Sequence, residues 1–258
     1  MRRAIVCIGL VGLVVASVAP PAFADNAPWS GRRAATLPRG RFEVGVFSPL
    51  RYGLTDRLEL SAHPLAFFVA PNARIKIGIN DSATWHIATR HTLSYPTPLL
   101  KLISREGSGG VLPNTAKVPQ IIALDNTVMA TAKAPYQRRW FTAELGFTVA
   151  PRFGESDFPT IELPIVYTRT AAYHTLATGH ASFAFEGVIV DPFYYLVQTR
   201  GYFVPGVAGG FAAEQTILAS WRPGTRFMLE LGGVGVWGAY PFGYQVNVLP
   251  MIDARFAF

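Results

Sequence analysis

Charged side chains recur along this chain in alternation with apolar ones. Arg74, Lys76, His86, Glu144, Glu230, Asp253 and Arg255 are each flanked on both sides by apolar residues, and Arg90, Asp125 and Glu186 belong to the same alternate set. Rows of mixed charge have two chemical uses. Carboxylates and cations in reach of one another can neutralise in pairs and fill an enclosed space, or they can line a narrow path that sorts solutes by charge. Both uses stay open for these ten residues, with the path slightly favoured. A second constellation is His180 and Ser182. Two residues apart on a strand, they project to one side, where an imidazole could activate a hydroxyl if a third group oriented it. No such partner stands nearby in the sequence. His63, His86, His91 and His174 lack metal-ligand spacing, and no glycine-rich phosphate loop leads from a strand into a helix, so neither a metal nor another cofactor is expected. The chain reads as a non-enzyme.

These side chains need strands to hold them. Across 245–258, Val246, Val248, Pro250, Ile252, Ala254, Phe256 and Phe258 are apolar, while Gln245, Asn247, Asp253 and Arg255 fall between them. Period two gives one apolar and one wet face. The length suits a tilted strand crossing a bilayer, which needs roughly 9–11 residues for the hydrocarbon core. The same alternation marks 41–50, 57–61, 72–80, 84–95, 121–133, 140–150, 161–173, 180–190, 207–221 and 225–239. Trp85 and Tyr95 are spaced to place one ring at each membrane interface, and His91 is an exception on the apolar face. Residues 95–120, with four prolines and a glycine-serine run, break the pattern and read as a long loop that either stays outside or folds inward.

Half of the chain is apolar, yet no stretch after the first two dozen residues approaches the about 18 unbroken apolar residues of a membrane helix. High hydrophobicity without a spanning helix leaves a closed barrel or, as the minor alternative, a secreted β-sandwich. The eleven alternating segments are awkward, because a single-chain bacterial barrel takes an even number with both termini on one side. Counting back from Phe258 puts 222–225 and 51–56 at periplasmic turns, and 197–206 and 95–120 in outer loops. The expectation is therefore about 12 strands, with 10 as the alternative and one strand missed or miscounted near the start. Such a lumen is intermediate in width. About eight strands enclose packed side chains, and about sixteen to eighteen leave an aqueous channel.

At the front, Met1-Arg2-Arg3, an apolar run and Ala22-Phe23-Ala24 compose a secretory signal peptide over residues 1–24. Its removal takes Cys7 with it and lowers the formal charge from +7 to +5. Residues 25–40, without period, read as an extended periplasmic segment, and 41–258 as the barrel. The remaining Lys and Arg are dispersed rather than striped, so nucleic acid is not an expected partner.

The alternating terminal segment that ends in Phe256-x-Phe258 resembles the C-terminal strand of bacterial outer-membrane β-barrels. The string Tyr52-Gly53-Leu54-Thr55-Asp56-Arg57-Leu58-Glu59-Leu60 is similar to a turn in transporter-like members of that class. The resemblance implies an all-β, transmembrane, antiparallel up-and-down barrel in the outer membrane of a Gram-negative bacterium. It further implies the lipid bilayer as surroundings and recognition of Phe256 and Phe258 by the barrel-assembly machinery. A monomeric, porin-like narrow passive channel or uptake protein for small polar or amphipathic solutes is the leading expectation. A closed structural or surface-interaction barrel is the second. His180-x-Ser182 resembles the pair in outer-membrane phospholipases and lipid A deacylases, which makes a lipid hydrolase the third.

Overall fold

The computed structural model describes residues 29–82, 84–107, 111–134, 138–207 and 210–258. Residues 1–24, read above as a signal peptide, and part of the glycine-serine run lie outside the described residues. In chain order the strands are β1 (Phe42–Gly45), β2 (Leu50–Thr55), β3 (Leu58–Ala62), β4 (Asn72–Asp81), β5 (Trp85–Ser94), β6 (Gln120–Ile121) and β7 (Ala123–Ala134). They continue with β8 (Arg139–Val149), β9 (Arg152–Phe153), β10 (Ala177–Val190), β11 (Phe193–Phe203), β12 (Phe211–Trp221), β13 (Phe227–Tyr240) and β14 (Gly243–Ala257). All but β6 and β9 form one closed antiparallel barrel of twelve strands, and those two pair with each other. The chain thus has the expected number of strands and both barrel ends of the chain on one side.

The route to twelve differs from the sequence reading at three places. Residues 161–173, read as a strand, hold two helices instead, α3 (Pro164–Thr170) and α4 (Ala172–Thr175). Pro164 sits in the first turn of α3, where its missing N–H costs nothing, whereas a central strand would lose a ladder bond there. Residues 197–206, read as an outer loop, belong largely to β11, whose inward row Leu196, Gln198, Arg200 and Tyr202 alternates with outward Val197, Thr199 and Phe203. The strand missed near the start is β2. The expected turn at Thr55-Asp56 is present, but 50–55 is itself paired on both sides, with β1 and β3.

Outward residues of successive strands make a continuous apolar belt that includes Ile77, Leu93, Leu145, Phe183, Ile217 and Val248. With polar residues inside, this inverts a soluble sheet and matches a lipid-facing barrel. Trp85 lies exposed on the outside, and His91 is indeed an outward polar residue, its Nδ1 2.7 Å from Asn126 Oδ1 on the neighbouring strand. The wall is uneven. β1 to β3 are four to six residues long, whereas the other barrel strands have ten to fifteen, and only three residue pairs join β1 to β14.

Two segments fill the ends of the tube. At the end carrying the chain termini, residues 29–38 run inside the barrel rather than away from it. Leu37 is fully buried, and Ala34 packs against Ala88 and Met129. Gly53 on β2 makes this possible, because a Cβ there would lie 2.0 Å from the Pro38 carbonyl oxygen. At the opposite end, residues 95–122 carry α2 (Thr97–Ile103) and pack their Leu100, Leu112 and Ile121 against Phe158, Ile161 and Ala172 from the 150–176 connection. The long proline-rich loop therefore forms a cap, while α3 of the later connection is what enters the lumen.

Replacing Gly53 with leucine is expected to expel residues 29–38 and leave the wall closed. Limited proteolysis in detergent should then cut that segment, while unheated gels still show the fast migration of a folded barrel; unchanged protection would contradict this docking. The cap carries a second prediction. His174 is half-buried, its ring centre 4.4 Å from that of Phe158, and desolvation first, then the positive charge of Arg152, lowers its pKa from about 6.5 to about 4. The folded cap binds the proton less well than the unfolded segment, so its stability is complete above pH 6.5 and falls as the pH drops towards 4. Amide protection factors across 158–176, corrected for the intrinsic pH dependence of exchange, should be lower at about pH 4.5 than at about pH 7. A His174→Phe variant should lose the pH dependence.

Candidate functional site

So many ions enclosed by a twelve-stranded wall must find partners, because an unpaired buried charge is strongly destabilising. At the terminus-bearing end the partners come from the wall and from the inserted segment together. Glu59 accepts from Arg51 Nε at 2.8 Å and Nη2 at 2.7 Å, and from the Leu37 N–H at 3.0 Å. Glu43 accepts from Arg51 Nη1 at 2.8 Å, Arg41 Nε at 2.9 Å and the Trp29 N–H at 3.1 Å. Lys76 Nζ donates to the carbonyls of Arg33 at 3.1 Å and Ala35 at 3.0 Å. Arg33 forks onto both oxygens of Glu186, at 2.9 and 2.8 Å, and its guanidinium lies 3.5 Å from the centre of the Trp140 ring. The paired, planar geometry makes these the stronger class of ionic contact. Arg222 adds a further bond to Glu186, and Arg255 joins Asp253 at 3.0 Å to Glu230.

The middle of the lumen is more open. Glu144 accepts from Arg90 at 3.2 and 3.4 Å, Arg200 at 2.7 Å and the Ser182 hydroxyl at 3.1 Å. Glu214 accepts from Arg169 of α3 at 2.9 Å and from the Tyr202 hydroxyl at 3.2 Å. Between these groups lie two cavities of about 370 and 270 Å³, both with polar walls.

All ten residues read as lumen-lining have their side chains inside the barrel. Lys76, His86, Glu144, Glu186, Glu230, Asp253 and Arg255 are buried, and Arg74, Arg90 and Asp125 line the cavities. His86 faces Asp81 on the paired strand, and Asp125 accepts from the hydroxyls of Thr127 and Thr148 at 3.1 and 2.9 Å. Phe256 and Phe258 point outward at the terminus-bearing end, with Phe258 77% exposed.

His180 and Ser182 share a face, as their spacing requires, but join different clusters. Ser182 donates to Glu144 and accepts from Gln198, while His180 lies 3.7 Å from Asp125 and 3.3 Å from the Thr127 hydroxyl. Gly146 leaves room for that imidazole, since a Cβ there would come within 2.5 Å of Nε2. The pair is directed into a polar network rather than towards a lipid-facing surface.

Sequence reasoning missed several lumen residues. Arg200 and Tyr202 fall in a span whose sequence reads as a loop, Arg51 in one that reads as a turn, and Arg33 in a stretch without period. The alternation of Leu196, Gln198, Arg200 and Tyr202 was a usable signal for β11. Nothing local marked Arg33 or Arg169, whose partners Glu186 and Glu214 are 153 and 45 residues away.

No family model matches the chain. Two curated proteins of Caulobacter vibrioides, from strains NA1000 / CB15N and ATCC 19089 / CIP 103742 / CB 15, are each named putative 8-amino-7-oxononanoate synthase. Each is 24% identical over 216 residues, which cover 77% of this chain and 56% of the relative. The chain thus spans a little over half the length of the curated relatives it matches. This match to proteins named as synthases overturns the expectation of a non-enzyme. Among solved structures, the outer membrane channel DcaP of Acinetobacter baumannii matches at a TM-score of 0.41 with 10% identity, over 84% of this chain and 62% of that one. OccK11 (OpdR) of Pseudomonas aeruginosa matches at a TM-score of 0.41 with 13% identity, over 90% and 62%.

Proposed function

We propose that this chain is an outer-membrane β-barrel that admits small polar solutes through its lumen, with residues 29–38 as the obstruction that must move. The observation that carries the reading is the lumen itself: two polar cavities, separated by charged side chains, lie between an inserted segment at one end and α3 at the other. Ion pairs alone could fill a closed interior, so it is the open volume left among the charges that favours a path. In this reading the terminus-bearing end is periplasmic, and the outward Phe256 and Phe258 serve the assembly machinery on insertion.

The inserted segment is anchored through ion pairs and backbone hydrogen bonds to wall residues, a set that can exchange for water. A second reading, a closed barrel that works through its outer loops, is favoured by the completeness of the Glu43–Arg51–Glu59 network around that segment. Planar-bilayer recordings separate the two. The channel reading expects small, infrequent openings from the wild-type protein and a larger, sustained conductance from Gly53→Leu. Silence from both proteins, each migrating as a folded barrel, would favour the closed barrel.

A further inference from the structure

The two cavities share four lining residues, and all four are arginines: Arg74 from β4, Arg90 from β5, Arg169 from α3 and Arg200 from β11. We infer that this arginine waist is a binding site for a small oxyanion, a carboxylate or a phosphate, through which the lumen selects anionic solutes. The inference rests on the reading of the lumen as a solute path and names what that path accepts.

The charge at the waist is not balanced by its protein contacts. Glu144 serves both Arg90 and Arg200, and Glu214 serves Arg169. Arg74 gives one N–H to Thr92 Oγ1 at 3.0 Å and has no ion-pair partner among the described residues. The buried Nε of Arg200 likewise lacks a hydrogen-bond partner there. Asp125 lines the smaller cavity and acts on Arg74 through space, but its direct contacts are two threonine hydroxyls and His180 at 3.7 Å. Four guanidiniums therefore face two directly bound carboxylates, and unspent N–H donors are left at the point where both cavities meet.

Guanidinium groups match the planar, two-oxygen edge of a carboxylate or phosphate, and they keep their charge at every physiological pH. In a narrow lumen with low-dielectric walls, such a cluster concentrates anions and repels cations. The cavities on either side, about 370 and 270 Å³, suit a solute of a few to a dozen or so heavy atoms. Arg169 is the member carried on a helix rather than the wall, so the fourth corner of the site is supplied by the segment that caps it.

The test uses the full mature chain, wild type and Gly53→Leu, folded in detergent, with succinate and inorganic phosphate as probes and choline as the cationic control. Calorimetry should detect saturable binding of at least one oxyanion and none of choline, and the preferred probe tells carboxylate from phosphate. Arg74→Gln, which breaks no ion pair, should weaken that binding by about tenfold, the loss expected for one charge-assisted contact. In bilayers under a potassium chloride gradient, the reversal potential should lie towards that of chloride and shift towards zero in Arg74→Gln. Failure of both oxyanions to bind to Gly53→Leu, or cation-selective currents, would overturn the inference even with a conducting barrel. Saturable oxyanion binding without conductance would keep the site and remove the channel reading instead.

Discussion

Hydrocarbon offers no hydrogen bonds, so a sheet can stand in it only when every backbone N–H and C=O is paired within the sheet. Closure of β14 on β1 meets that demand here, and it rests on three residue pairs. Short flanking bonds extend the seam, with Phe42 and Phe258 exchanging both backbone hydrogen bonds at 3.1 and 2.9 Å. Phe258 is therefore part of the closure. Once the sheet is closed, the period-two alternation of each strand divides the side chains into a lipid set and an interior set, and the composition of the two follows from their surroundings.

The interior set creates the second constraint. A wall this narrow does not leave its ions in bulk water, so each needs a partner. Glu43, Glu59 and Glu186 find theirs in Arg51 and in the inserted residues 29–38, whose backbone also satisfies Lys76. The same inserted segment that completes the electrostatics also occupies this end of the tube, so stability and filling come from one set of contacts. Further along, the supply of carboxylates falls behind that of arginines, and the space they surround holds two cavities of about 370 and 270 Å³. An excess of fixed positive charge beside open volume is a poor way to fill a core and a good way to hold an anion.

Much of this was legible in the sequence, and the remainder fails for identifiable reasons. Alternation in 140–150 and 245–258 gave the strands, their inward charges and the closed architecture, because in such segments one face meets lipid and the other does not. The ten inward residues, from Arg74 to Arg255, followed from that periodicity alone. Short strands defeated it. β2 is too brief to show a period, and its Gly53 and Thr55 resemble a turn. An apolar helix start such as Pro164–Ile165–Val166 next to Tyr167 imitates strand composition, so α3 was misread. The inserted segment was invisible because its contacts are long-range. Ala34 meets Thr131, Arg33 meets Glu186, and no local pattern records either.

The division of side chains between lipid and lumen is most directly tested on β12, at neighbouring residues with opposite surroundings. Ile217 is exposed on the outer belt and Thr216 lines the larger cavity. With Cys7, the sole cysteine of the sequence, replaced by serine, single cysteines at each position can carry a spin label in protein reconstituted into liposomes, and collision with oxygen or a water-soluble nickel chelate can be compared. The account predicts high oxygen and low nickel accessibility at 217, and a sharp drop in oxygen accessibility at 216. Equal values at the two positions, or ready access of nickel to 217, would contradict a strand with lipid on one side and an enclosed polar interior on the other.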